Sequence, residues 1–207
     1  MVLPELDKKD SNIKSIAQRA FHNEELLSDI LHGILSKKDV VRSNCFKILL
    51  LLSEEKPEFL YPQWDYFVDL LRSDNTYHRH IGIYIIAQLT RADTENRFEK
   101  IFDMYYSLLD DESVIPAAHL ALNSGKIVRA KPGLQSEITA RLLRIDETHH
   151  TPERKDLIKG YAIEAFDEYF EEASDKQKIL QFVADQLESK SPTTKKKANQ
   201  FMRKWRK

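Results

Sequence analysis

The stretch Asp39-Val40-Val41-Arg42-Ser43-Asn44-Cys45-Phe46-Lys47-Ile48-Leu49-Leu50-Leu51-Leu52 decides the fold. Val41, Cys45, Leu49 and Leu52 are four, four and three residues apart, which places them on one face of an α-helix. A small residue, Cys45, stands in the middle of that face. The pattern returns around Gly82, Ala118, Ala162 and Ala198, at spacings of 37, 36, 44 and 36 residues. Four residues before these stand His78, Val114, Ile158 and Thr194, and four after them Ile86, Leu122, Phe166 and Met202. Leu89, Gly125, Tyr169 and Trp205 follow at seven. Five helices are therefore expected, each with a buried stripe whose small residue lets a neighbouring helix come close.

Each of these helices is preceded by a second amphipathic segment. The segments are 24–35, 58–71, 95–109, 133–145 and 175–187, with apolar residues such as Leu27 and Leu31, or Trp64, Phe67 and Leu71, at helical spacing. Residues 11–21 add a lone leading helix. Asp39, Asn75 or Thr76, Ser113, Thr151 and Ser191 are suited to cap the second helices, and Pro152 and Pro192 fall where a helix starts best with proline. The expected organisation is a single domain over 1–207, with a leading helix at 11–22. Five helix pairs follow at 23–55, 58–91, 95–130, 132–172 and 175–206. The longer spacing of 44 implies an insertion of eight residues, expected as a solvated loop at 146–152.

Composition agrees with a helical, soluble chain. Apolar residues make up 42% of the 207 and charged residues 31%, with a mean hydropathy of -0.51. Five Gly and seven Pro are few for a fold of many tight β-turns. A single cysteine excludes an intramolecular disulfide and a cysteine-based zinc site, and it suits a reducing, cytoplasmic setting. The longest apolar run, 48–52, is far short of the roughly 20 residues of a membrane span. The charged opening 1–10, with Pro4, lacks the pattern of a signal peptide. Charge is uneven: residues 189–207 carry eight Lys or Arg and no acid. The rest holds 24 basic and 33 acidic side chains, a balance of -9.

Two helices per unit at this period resemble the HEAT-repeat family. The resemblance spans roughly 23–205 and is closest at Asp39, Arg42, Cys45, Leu49 and Leu52, then at Asp74, Arg79, Gly82, Ile86 and Leu89. The early-helix Arg column continues as Ile115, Lys159 and Lys195, so the third pair departs from it. The resemblance implies an all-α, right-handed α-α superhelix, a solenoid of HEAT or armadillo type, whose second helices line a concave binding face. It implies no cofactor. Two HEAT-like enzyme groups, DNA glycosylases and bilin lyases, are the nearest enzymatic readings; Trp64-Asp65 matches the first superficially, but Trp64 reads as core.

No phosphate-cradling Gly loop, zinc-protease His-Glu motif or nucleophile elbow is present. His149-His150 beside Asp146 and Glu147 is the one metal-like cluster, but adjacent histidines diverge, and a solvated loop explains it. Asp110-Asp111-Glu112 reads as an acidic turn ahead of a helix, and His78 as a residue at a buried boundary. Cys45, inside the small-residue column, is expected to be buried and so unavailable to catalysis. The expected function is a non-catalytic scaffold that binds another protein on the side opposite the small column, through Lys47, His80, Tyr84, Leu120 and Glu164. Tyr84 and Leu120 are expected to form an exposed apolar patch. The alternative is a nucleic-acid-binding solenoid that uses Lys195, Lys196, Arg203 and Arg206 on the last helix.

Overall fold

The structure, a computed structural model, describes residues 4–9 and 11–206; Lys207 of the basic tail and positions 1–3 and 10 of the opening segment lie outside them. The chain is all-helical, with no strand among the described residues. It forms two compact units, Met1–Ala92 and Asp93–Lys207. No helix among the described residues is long and apolar enough to cross a membrane.

The first unit contains α1 (Ile13–Ala20), α2 (Glu24–Gly33), α3 (Asp39–Glu55), α4 (Pro57–Leu60), α5 (Trp64–Leu71) and α6 (Thr76–Leu89). The helix expected over 58–71 is interrupted at Tyr61–Gln63 by a 3-10 turn. Pro62 is the cause, because it offers no N–H to continue the helical hydrogen bonds. Side-chain oxygens of Asn12, Asn23 and Asn75 accept the free N–H groups that open α1, α2 and α6. Asp39 is not a cap. It is the first residue of α3 and pairs with Arg42. α3 packs on α1, α2 and α6, around Ile48, Leu49, Leu52, Trp64, Phe67, Ile86 and Leu89, all buried.

The second unit contains α7 (Arg97–Ser107), α8 (Val114–Ala130), α9 (Gln135–Leu143), α10 (Pro152–Tyr169), α11 (Lys176–Asp185) and α12 (Pro192–Trp205). α10 lies between α8 and α12. The rings of His119 and Tyr161 are 5.5 Å apart, and a Cβ on Gly125 would stand 2.9 Å from the Ala165 carbonyl. The numbers rise together on both helices, so α8 and α10 run parallel. α10 and α12 do so as well, because Gly160 meets Thr194 and Asp167 meets Lys204. The same holds in the first unit, where Phe46 of α3 meets His80 and Tyr84 of α6 and Glu54 meets Gln88. Within each unit the second helices are therefore parallel neighbours, and their small residues Cys45, Gly82, Ala162 and Ala198 are buried.

The third pair sits in a different register from the one read in the sequence. The N-cap residues Lys38, Asn75 and Ser191 stand seven residues before Cys45, Gly82 and Ala198. Ser113, the N-cap of α8, stands seven before Leu120 rather than before Ala118. The turns agree. Ser36, Ser73, Asp111 and Ser189, each two residues before an N-cap, accept that residue's N–H at 3.1, 3.2, 2.8 and 3.1 Å. Leu120 thus occupies the column that small residues fill elsewhere, and the spacings become 37, 38, 42 and 36. The insertion shrinks accordingly. α10 begins ten residues before Ala162, whereas α3, α6, α8 and α12 begin six before their column residue, so the excess is one helical turn.

The loop at 146–152 is not simply solvated. His150 is buried, with Nε2 3.2 Å from the Leu109 carbonyl. His149 donates its backbone N–H to Asp110 at 2.7 Å, and its Nδ1 stands 2.6 Å from the same carboxylate oxygen. The acidic turn is in this way an anchor for the next pair.

Candidate functional site

The side chains left exposed or half-exposed on the second helices follow from the corrected register. Relative to the column residue they fall at about -5, -2 or -1, +2 and +5 or +6. These offsets repeat along one line of a helix of 3.6 residues per turn. On α3 and α6 they are Val40, Ser43 and Lys47, then Tyr77, His80 and Tyr84. On α8 and α10 they are Ile115, His119, Leu122 and Lys126, then Leu157, Tyr161, Glu164 and Glu168. On α12 they are Thr193, Lys196, Gln200 and Arg203.

Leu120 does not belong to this face. It is fully buried, on the far side of α8 from the line through His119, Leu122 and Lys126. The exposed patch expected at Tyr84 and Leu120 is therefore corrected: Leu122, expected inside, is half-exposed, and Leu120 is core. The cause is the two-residue register shift, which rotates α8 by about 200° relative to a reading centred on Ala118.

In the first unit His80 and Tyr84 do come together, with ring centroids 4.9 Å apart. Phe46, absent from the sequence reading, meets both at 5.5 and 5.6 Å. Lys47 is exposed beside them. At the start of α6, Tyr77 is 55% exposed, with the Arg42 guanidinium 4.5 Å above its ring. Arg42 is fixed there by the Ser36 carbonyl at 3.0 Å, and Arg79 reaches the Ser73 carbonyl in the same way at 2.6 Å. His78 is half-buried, and desolvation, assisted by Arg42, holds its pKa below the ordinary histidine value.

In the second unit Glu164 is half-exposed and bonded to Lys197 at 2.9 Å. Lys197 also stands 4.3 Å above the Tyr161 ring. Ile115 is 42% and Leu157 37% exposed. Each stands one helical turn before the His119–Tyr161 contact, on parallel helices, so the two aliphatic side chains are neighbours across the α8–α10 seam. Burial lowers the His119 pKa. Lys195, Lys196 and Arg203 on α12 and Arg206 just after it are exposed, and Lys195 reaches Glu188 at 3.4 Å.

Ile115 was read only as a departure in the early-helix Arg column, and Tyr77 and Leu157 were not singled out. The signal was present: Val40, Tyr77 and Ile115 all lie two residues after an N-cap. Leu157 shares that level only once the extra turn of α10 is known.

Cys45 is wholly buried, and burial pushes its thiol pKa up to about 12. Among the described residues no group of three or more His, Cys, Asp or Glu is arranged to hold a metal ion. Set against protein-family models, curated proteins and solved structures, the chain matches none.

Proposed function

We propose that this chain is a non-catalytic, cytoplasmic scaffold of HEAT type, a right-handed superhelix of helix pairs that binds another protein on the face of its second helices. One observation carries the reading. The same position, near the start of consecutive second helices, holds an apolar side chain that is exposed at Tyr77 in the first unit and at Ile115 and Leu157 in the second, and half-exposed at Val40. A folded chain gains nothing from leaving such residues in water, and a repeated exposed apolar row suits a protein interface. The parallel packing of second helices within each unit is the arrangement that the HEAT resemblance implies.

The test is a photo-crosslinking amino acid placed at position 157, with a second at Lys155 as an off-face control. The expected result is a protein adduct formed from position 157 and not from 155. Adducts of equal yield from both, or none from 157, would overturn the reading. The nucleic-acid alternative draws on the exposure of Lys195, Lys196, Arg203 and Arg206. It requires binding of DNA or RNA at about 50 mM salt that weakens steeply as salt rises.

A further inference from the structure

We infer that the partner is an acidic amphipathic segment, seated with its apolar side chains over Ile115 and Leu157 and its carboxylates toward the basic side chains of α12 and the far end of α8. The inference rests on the protein-binding reading above and adds the chemistry of the occupant.

The apolar half of the argument is geometric. Ile115 and Leu157 flank the α8–α10 seam, and His119 and Tyr161 form the next turn of the same strip. The strip extends along the helices by about one turn, 5.4 Å. That length matches two apolar side chains at i and i+4 of a bound helix.

Charge supplies the other half. α12 carries Lys196, Lys197, Arg203 and Lys204 and no acid, and the end of α8 carries Lys126 and Arg129; α10 carries Glu153, exposed one turn before Leu157, and further along Glu164, Asp167 and Glu168. Glu164, Asp167 and Glu168 are each answered by a neighbouring base. Glu164 meets Lys197 at 2.9 Å, Asp167 meets Lys204 at 2.9 Å, and Glu168 meets Arg129 at 3.7 Å. Lys196 and Arg203, two turns apart on α12, are both exposed to solvent. An occupant with carboxylates beside its apolar pair is complementary to both features. A basic segment meets charge of its own sign. A phosphate backbone would have to cross the α10 carboxylates and would leave Ile115 and Leu157 unused.

The experiment is selection of a random displayed library of about 16-residue peptides on the purified full chain, followed by anisotropy measurements on the enriched peptides. Enriched peptides are expected to be net negative, with apolar residues at helical spacing. Leu157→Asp, and separately Lys196→Glu with Arg203→Glu, should each weaken binding at least about tenfold while the thermal midpoint stays at the wild-type value. Neutral or basic winners, or winners indifferent to both variants, would overturn the inference and leave the protein-binding reading standing. An empty selection overturns it as well. If a labelled single-stranded oligonucleotide then binds, and Lys196→Glu with Arg203→Glu abolishes that binding, the protein-binding reading falls too.

Discussion

A Cβ on Gly82 would stand 2.9 Å from Leu71 Cδ2 and 3.0 Å from the Phe67 carbonyl oxygen. The Leu71 methyl is able to turn aside, but the backbone oxygen moves only if α5 moves. Gly82→Ala gains about 1 kcal/mol in helix propensity and loses about 1–3 kcal/mol to overpacking. The expected outcome is a net destabilisation of about 1 kcal/mol, read by urea unfolding; equal or higher stability would mean that α5 gives way freely. Gly133 is the matched control, with nothing within 4 Å of its would-be Cβ. Gly133→Ala should be neutral or stabilising by less than about 1 kcal/mol. The column of small residues was legible in the sequence at Cys45, Gly82, Ala162 and Ala198. It was misread at Ala118, because a small residue two positions away mimicked the repeat and only the position of Ser113 in the turn decides between them.

At the level of elements, the turns carry as much of the architecture as the helices. Asp93, with no side-chain exposure, accepts the N–H groups of Arg97 and Phe98, both at 2.9 Å, and holds Lys131 at 3.0 Å. It caps α7 and ties its start to the residue that ends α8. Asp93→Ala removes the cap and strips a partner from a mostly buried cation. A loss of about 2–3 kcal/mol is expected in chemical denaturation, and a loss below about 1 kcal/mol would show that Glu99 alone suffices for Lys131.

The turn at 148–151 makes a pH prediction. Burial, with help from the neighbouring His149, lowers the His150 pKa from the ordinary 6.5, and Nδ1 has no hydrogen-bond partner to receive a proton toward. Asp110 and Arg154 are the other charged groups acting on the ring, one raising and one lowering its pKa. A lowered folded pKa means that the unfolded chain binds the proton first. The stability is therefore present above about pH 6.5 and declines as pH falls through the window below it. The thermal midpoint should drop between about pH 7 and pH 5.5, and His150→Leu should reduce the drop. An unchanged slope would place the titration elsewhere, at His78 or His119.

On the scale of the whole chain, α12 closes the second unit. Its inner side presents Phe201 and Trp205 to Phe170, at ring distances of 5.0 and 5.1 Å. Its outer side is basic and solvated. Deletion of 192–207 would uncover Phe170 and Gly160 and remove most of the basic cluster. The expected outcome is self-association visible by light scattering, and a monodisperse truncated chain would contradict this covering role. The sequence by itself determined the helical class and the burial of Cys45, because 3.6-residue periodicity is local and survives without knowledge of neighbours. Only the tertiary structure decided that Leu120 is core, that the insertion is a turn of α10, that His150 is buried, and that Ile115 and Leu157 lie side by side in solvent. Each of these depends on the rotation of one helix against another, and a shift of two residues rotates a helix by more than half a turn.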